Sequence, residues 1–224
     1  AAEVIFFDEK GDFDAEKTNA VLSHRLTECG LAVVPGFYGS MPDGSVKTFS
    51  RGGSDVTGAL AARAANARLY ENWTDVSGML FTDPRIVPDP GVISHITYRE
   101  LRELSYMGAS VLHEDAVFPV RKAGIPINIR NTNRPGDPGT TISHDLPEKQ
   151  NLITGVAGRT GFASVQVEKS LMNNEIGFGA RLLQILAAHG VSFEHCPTGI
   201  DTISVVVDTE SLNACREAVL RQIE

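Results

Sequence analysis

Residues 50–55 read Ser-Arg-Gly-Gly-Ser-Asp and stand between a short apolar run and an alanine-rich segment, residues 56–66. Two adjacent glycines let backbone N–H groups approach a ligand closely. The alanine-rich segment is predicted to be a helix, and the N-terminus of a helix attracts negative charge. The stretch therefore predicts a strand-to-helix junction that binds an anionic substrate. The alternative is an ordinary glycine turn in which Ser54 or Asp55 is the helix N-cap.

A second pair of motifs follows along the chain. Residues 73–78 read Trp-Thr-Asp-Val-Ser-Gly, and residues 82–85 read Thr-Asp-Pro-Arg. The first joins a Thr-Asp step to a glycine turn, and the second begins with Asp-Pro, which by itself is a good turn starter. Thr74 and Asp75 are predicted to lie in a loop at the end of the strand at 68–73, and Asp83 and Arg85 in the turn after it.

These motifs, taken in order, resemble those of the aspartokinases, which are members of the amino-acid kinase family. The resemblance continues through residues 106–113, Tyr-Met-Gly-Ala-Ser-Val-Leu-His, and residues 125–129, Ile-Pro-Ile-Asn-Ile. The tail from residue 153 is similar to an ACT ligand-binding domain. The resemblance implies an α/β fold: the C-terminal half of a three-layer amino-acid kinase domain at residues 1–147, then an incomplete ferredoxin-like (βαββα) ACT domain at residues 148–224.

The family resemblance also implies an activity. Aspartokinases use ATP to phosphorylate the β-carboxylate of L-aspartate, the first step of lysine, threonine and methionine biosynthesis. ATP with Mg²⁺ is therefore the expected co-substrate, with no tightly bound cofactor. The carboxylate is already a nucleophile, so the protein supplies mainly orientation and charge neutralisation. The Lys-Phe-Gly-Gly motif that opens aspartokinases does not occur in the sequence, so we expect a C-terminal fragment that is inactive as a separate chain.

The resemblance gives roles to individual residues. Arg51 is expected to hold an aspartate carboxylate through two hydrogen bonds. Asp55 is expected to orient the amino group of the substrate or a basic side chain, or else only to cap the helix. The rest of the substrate loop is Ser50, Gly52, Gly53 and Ser54. The expected nucleotide contacts are Thr74, Asp75, Leu80, Asp83, Arg85, Ser110 and Val111.

Two of these positions depart from the family pattern. Leu80 stands where many relatives carry a tyrosine near the adenine, and Ser110 stands where many carry a lysine that faces the nucleotide. Both departures suggest a subgroup with a different nucleotide geometry.

In the tail, a strand-to-helix loop resembles the effector loop of ACT domains. Free amides at the helix N-terminus would receive the carboxylate of an amino-acid effector. The sequence leaves open whether the effector is lysine, threonine or neither. The intact protein is expected to form a homodimer through its ACT domains. The expected effector residues are Met172, Glu175, Phe178, Gly179 and Glu194.

Composition argues against several other classes of protein. A formal net charge of −8 argues against nucleic acid or an anionic membrane as the main partner. No apolar run approaches the roughly 20 residues needed to span a bilayer. Three scattered cysteines fit a reducing compartment, so we expect a cytoplasmic protein. The histidines show no metal-ligand spacing, and no metal site is expected.

Hydrophobic periodicity alternates strands with helices and predicts a largely parallel sheet with helices on both faces. The Pro- and Gly-rich residues 131–149 are expected to form the domain boundary, with a short edge strand at 140–143. Strands are expected at 4–7, 31–35, 46–49, 68–73 and 125–129, and helices at 14–29, 56–66, 97–107 and 111–122. In the tail, strands are expected at 162–167, 191–196 and 202–207, and helices at 176–189 and 212–223.

Two other functions remain compatible with these residues. One is a non-catalytic amino-acid-binding regulatory module, and the other is a different carboxylate or carbamate kinase of the same superfamily. The two Thr-Asp motifs together with the ACT-like tail favour aspartate as the substrate.

Overall fold

The computed structural model describes residues 1–108, 112, 114–145 and 152–223, and for residues 114–116 the backbone alone. Two compact units divide the chain, Ala1–Gly158 and Arg159–Glu224. The predicted domain boundary, between residues 147 and 148, lies outside the described residues. The Pro- and Gly-rich residues 131–145, expected at that boundary, belong to the first unit.

The first unit contains a two-stranded sheet, a four-stranded sheet and four described helices. Its helices are α1 (Ala15–Thr27), α2 (Gly53–Ala64), α3 (Tyr98–Tyr106) and α4 (Glu114–Ala123). Its strands are β1 (Tyr38–Ser40), β2 (Val46–Thr48), β3 (Tyr70–Thr74), β4 (His95–Thr97), β5 (Ile127–Asn131) and β6 (Thr140–Ser143).

The four-stranded sheet has the order β3-β5-β6-β4. β3 is parallel to β5 and β4 is parallel to β6, but β5 and β6 are antiparallel, so the sheet is mixed where a largely parallel one was predicted. β6 pairs with β5 on one side and with β4 on the other, so it lies inside the sheet, and the prediction of an edge strand at 140–143 was wrong. β4, which was not predicted, forms that edge.

Apolar side chains from α2, α3, α4 and the four-stranded sheet form the larger core of the first unit, and a smaller one lies between α1 and α2. β5 is covered on both faces, since Ile127, Asn128 and Ile129 are all buried. A fully buried isoleucine contributes roughly 1.5–3 kcal/mol relative to an exposed one. β5 therefore lies at the centre of the packing between the sheet and its helices.

Two predicted strands are absent from this unit. Residues 31–35 form no strand, and Leu31 and Val33 are 92% and 91% exposed. Residues 4–7 make only isolated bridges, from Phe6 to Ser40 and from Phe7 to Phe13. Short apolar runs do not show by themselves whether a partner strand lies beside them.

The second unit contains a three-stranded antiparallel sheet of order β7-β9-β8. Val205 and Val207 of its central strand are fully buried with Leu186 and Val219 from the helices. The predicted helix at 212–223 is divided into α6 and α7. The elements are β7 (Phe162–Glu168), a 3-10 turn (Met172–Asn174), α5 (Phe178–Ala188), β8 (Phe193–His195), β9 (Thr202–Asp208), α6 (Thr209–Asn213) and α7 (Arg216–Ile223).

Candidate active site

The substrate loop joins β2 to α2, as the sequence predicted. Gly52 is the N-cap of α2, with φ 55° and ψ 24°, and no side chain caps the helix. This left-handed conformation suits glycine because a Cβ would be strained there. The alternative in which Ser54 or Asp55 caps the helix was therefore wrong, since both lie within its first turn.

Gly53 fixes where the helix begins. A Cβ at this position would lie 2.8 Å from Phe37 Cα and 3.1 Å from Phe49 Cβ, so only glycine allows this approach. Thr57 Oγ1 donates a 2.7 Å hydrogen bond to the carbonyl of Gly53 and accepts one of 3.1 Å from the N–H of Phe37. The first turn of α2 is thus held against the backbone at Phe37.

Arg51 is exposed on this loop. Within the described part of the chain, its guanidinium makes no hydrogen bond or ion pair. A guanidinium in this setting can offer paired N–H donors to a carboxylate.

Asp55 is held by β3. Asn72 Nδ2 donates hydrogen bonds of 3.0 Å to Asp55 Oδ1 and 3.1 Å to the Tyr70 hydroxyl. The Tyr70 hydroxyl in turn donates to the backbone carbonyl of Asp55, at 3.2 Å. Burial, reinforced by the negative charge of Asp55, raises the pKa of Tyr70 against the opposing effect of Asn72. Tyr70 therefore remains a protonated donor at neutral pH.

The Thr-Asp step lies at the carboxyl end of β3. The carbonyl of Thr74 accepts hydrogen bonds from the N–H of Thr132, at 2.8 Å, and from its hydroxyl, at 2.9 Å. Thr74 Oγ1 lies 3.3 Å from Asp75 Oδ1, and Asp75 is exposed. The side chain of Thr74 is on the same face of the strand as Asn72, because alternate residues share a face.

The turn after Asp75 is held by the last residue of β5, the first residue of β6 and one residue of the segment between them. Ser77 Oγ donates to Asp137 Oδ2 at 2.6 Å and accepts from Asn131 Nδ2 at 2.9 Å. Thr140 Oγ1 accepts from the N–H of Met79 at 2.8 Å. Gly78, at φ 117°, leaves room for that hydroxyl, which would lie 2.4 Å from a Cβ. We call these three residues, Asn131, Asp137 and Thr140, the clamp.

The second Thr-Asp motif forms its own ion pair. Arg85 contacts Asp83 through Nε and Nη2, with a shortest distance of 2.6 Å, and the Arg85 side chain is 88% exposed. Hydrogen bonds from Arg85 lower the pKa of Asp83 to about 2. Arg85 must therefore leave or share Asp83 in order to bind a phosphate. Leu80 is half-buried and bridges to Val92. Ser110 and Val111 lie outside the described residues.

The opposite face of β3 carries Trp73. The Arg130 guanidinium lies 4.9 Å from the centre of its ring, and Arg130 Nη1 is 3.3 Å from Glu71 Oε1. This face points away from the side that carries Asn72 and Thr74.

The expected effector residues are all placed in the second unit. Gly177, at φ 80°, is the N-cap of α5, and no side chain caps this helix. Glu175 forms ion pairs with Lys169 and Arg181, and hydrogen bonding from Lys169 is the largest of the causes that lower its pKa.

The other expected effector residues differ in exposure and contacts. Met172 is buried in the core of the second unit. Lys169 lies over the ring of Phe178, and Gly179 follows in the first turn of α5. Glu194 Oε1 is 3.7 Å from Arg159 Nη2.

Two wider properties of the described residues bear on ligands. They contain no group of three or more His, Cys, Asp or Glu side chains that could hold a metal ion. Their helices include none that is both long and apolar enough to cross a membrane.

Sequence reasoning missed several residues of this site. Asn72, Ser77, Asn131 and Asp137 were not singled out, although they hold the predicted substrate and nucleotide loops. One signal was present: a polar residue at 72 within a strand whose alternate positions face a helix. Asp137 gave no such signal, because Pro and Gly surround it.

Comparison with known proteins identifies the family. Residues 6–131, which include the substrate loop, β3 and β5, match the amino acid kinase family. The chain belongs to the amino acid kinase family. The match ends at Asn131, the first residue of the clamp.

Its relatives among curated proteins include aspartokinases. The chain is 46% identical to aspartokinase 3 of Bacillus subtilis over 203 residues, which cover 90% of this chain and 45% of that protein. It is 33% identical to the lysine-sensitive aspartokinase 3 of Escherichia coli over 208 residues, covering 93% and 46%. The chain therefore spans about half the length of the curated relatives it matches.

Solved structures give the same picture. The crystal structure of Clostridium acetobutylicum aspartate kinase, an allosteric enzyme, superposes with a TM-score of 0.88 at 55% identity, over 100% of this chain and 52% of that one. E. coli aspartokinase III in complex with aspartate and ADP superposes with a TM-score of 0.67 at 30% identity, over 93% and 48%. The mixed α/β fold is thus that of aspartate kinases.

Proposed function

We propose that this chain carries part of the active site of an aspartate kinase, which transfers the γ-phosphoryl group of ATP to the β-carboxylate of L-aspartate. The observation that carries the proposal is the hydrogen bond between Asn72 and Asp55. It joins the substrate loop to β3, the strand that ends in Thr74 and Asp75.

The arrangement supports substrate and nucleotide binding on one face of the sheet. Asn72 and Thr74 share a face of β3 and are separated by about 7 Å along the strand. Arg51 would hold a carboxylate of aspartate, and Asp55 would receive its amino group. Thr74 and Asp75 would meet the nucleotide. Ser50, Gly52, Gly53 and Ser54 would supply backbone to the substrate, near the positive end of α2.

Charge neutralisation is what this reaction requires of the protein, because the attacking carboxylate and the triphosphate are both anionic. Arg51 and Arg85 are the cations that the two loops provide. Mg²⁺ would enter with ATP as part of the co-substrate, since this ion commonly binds through phosphates and one or two carboxylates. Asp75, which is exposed, is a suitable carboxylate.

Amino-acid control and dimerisation belong to the same proposal. The uncapped N-terminus of α5 would receive the carboxylate of lysine or threonine beside Glu175 and Phe178. β7 and β8 are the edges of the three-stranded sheet, and pairing of ACT-like units would cover such an edge. The dimer is tested by light scattering at micromolar concentration on the natural-length protein, by which we mean the complete product of the gene. A monomer at that concentration would contradict the dimer.

The activity is tested by trapping aspartyl phosphate with hydroxylamine. Purified natural-length protein is incubated with MgATP and L-aspartate, and the hydroxamate is measured. We expect ATP-dependent product with L-aspartate and none above background with carbamate or acetate. Equal turnover with carbamate would favour another kinase of the superfamily. No turnover with any acceptor would favour a regulatory amino-acid-binding module. The separate 224-residue chain is expected to give no product.

A further inference from the structure

The side chain of Asn72 is almost completely buried, with 7% of its surface exposed, in the middle of β3. A buried amide needs hydrogen-bond partners, because an unsatisfied one costs free energy. Both partners of Asn72 Nδ2 lie toward the substrate loop, at Asp55 Oδ1 and the Tyr70 hydroxyl. Both N–H groups of the amide therefore donate within one small hydrogen-bond network.

The network is closed. Tyr70 accepts from Asn72 and donates to the backbone carbonyl of Asp55. Gly58 of α2 leaves space for the Tyr70 hydroxyl, which would lie 2.6 Å from a Cβ at that position. Asp55 is thus held at two points: Tyr70 bonds to its backbone carbonyl, and Asn72 bonds to its carboxylate.

Only one oxygen of Asp55 is used in this way. Oδ1 accepts a hydrogen bond from Asn72, whereas none of the described residues donates one to Oδ2. A carboxylate with one oxygen anchored presents the other in a fixed direction. That second oxygen can accept an N–H from an ammonium group.

We propose that Asn72 is a positioning residue for the substrate: it fixes the Asp55 carboxylate so that Oδ2 receives the α-ammonium group of the amino-acid substrate. This inference rests on the proposed function. It adds a residue outside the substrate loop, and it assigns that residue to recognition of the amino acid and not of the nucleotide.

The chain offers a matched control in Asn128. This asparagine is also 7% exposed, lies in the neighbouring strand β5, and donates to Pro138 O and Thr141 Oγ1 instead of to the substrate loop. Asn72→Leu and Asn128→Leu remove the same donors at equal burial. Any effect common to both is therefore a general cost of replacing a buried amide.

The test measures KM for aspartate and KM for ATP separately in the natural-length protein. We expect Asn72→Leu to raise KM for aspartate about tenfold or more, because a hydrogen bond to a charged group is lost. KM for ATP should stay within about twofold, and Asn128→Leu should change neither value by more than that. Equal rises in both KM values, or the same rise in Asn128→Leu, would overturn the proposal.

Two further measurements test the proposal even if Asn72→Leu does not fold. Tyr70→Phe keeps the Asn72–Asp55 bond and is expected to raise KM for aspartate less than Asn72→Leu does. In the unaltered protein, the side-chain NH₂ signals of Asn72 in ¹⁵N spectra should be protected and should shift in Asp55→Ala. Signals that exchange freely, or do not shift, would overturn the proposal. The NMR experiment needs no turnover, so protected and shifting signals in a protein that phosphorylates no aspartate would reject the proposed function while supporting the positioning of Asp55.

Discussion

Ser77 Oγ donates a 2.6 Å hydrogen bond to Asp137 Oδ2, although the two residues are separated by 60 positions in the chain. Ser77 belongs to the turn that follows the Thr-Asp step, and Asp137 belongs to the clamp. The bond ties the candidate nucleotide loop to the segment between β5 and β6. The geometry of that loop is therefore set by residues far from it in sequence.

The Ser77–Asp137 bond can be weighed by a double-mutant cycle. Ser77→Ala and Asp137→Ala are each expected to lower the free energy of unfolding by about 1–2 kcal/mol, because a half-buried polar partner is left unsatisfied. The double variant should lose less than the sum, by roughly 0.5–1.5 kcal/mol. Urea denaturation measures all four proteins. Strict additivity would show that the two side chains do not interact. In the natural-length protein both variants should also raise KM for ATP.

Arg51→Ala is expected to lower kcat/KM for aspartate about tenfold or more, since a charge-assisted contact is worth about 1.5–3 kcal/mol. Its stability should be unchanged within about 0.5 kcal/mol because the side chain is exposed. The assay is hydroxamate formation in the natural-length protein. Arg68→Ala, another exposed arginine of the first unit, serves as the control and should be silent. Unchanged aspartate kinetics in Arg51→Ala would remove Arg51 from the site.

Gly53→Ala should destabilise the first unit by about 1–3 kcal/mol, because the added methyl group overlaps Phe37 and Phe49. Gly30→Ala is the matched control, since no atom lies within 4 Å of a Cβ there. Its effect should stay within about 0.5 kcal/mol. Chemical denaturation compares the two. If Gly53→Ala were as stable as Gly30→Ala, the close approach of α2 to Phe37 would be contradicted.

The buried hydroxyl of Tyr98 should make the free energy of unfolding fall at alkaline pH. This hydroxyl donates to the carbonyl of Ile125, and burial raises the pKa of Tyr98 to about 12, opposed by the charge of Arg121. The unfolded value is about 10. Because the folded pKa is the higher one, the stabilisation is complete below pH 10 and is lost as pH rises toward 12. Unfolding free energies measured from pH 8 to 12 should fall more steeply in the unaltered protein than in Tyr98→Phe.

The sequence was sufficient for the local frame of the candidate site. The double glycine lies at the junction of β2 with α2, and the Thr-Asp step lies at the end of β3, both as expected. These positions follow from local chemistry: glycine allows the left-handed conformation of Gly52, and alanine-rich sequence favours a helix.

The sequence was insufficient where a distant partner decides the outcome. Residues 31–35 are apolar, yet none of the described strands pairs with them, and Leu31 is exposed. β4 has only three residues, too few to show a period of two. Asp137 sits among prolines and glycines that are typical of a linker, and only the fold brings it to Ser77.

Pairing of β3 with β5 has a kinetic consequence. The two strands are parallel, and residues 75–126 must be looped out before they meet, whereas only residues 132–139 separate β5 from β6. Closing the longer loop costs more conformational entropy, so the β5–β6 pair should form first and β3 should dock later. During synthesis, the ribosome releases the substrate loop and the Thr-Asp step well before β5. Ligands that contact both the substrate loop and the Thr-Asp step would therefore bind only after β3 has docked, and they would stabilise the completed sheet.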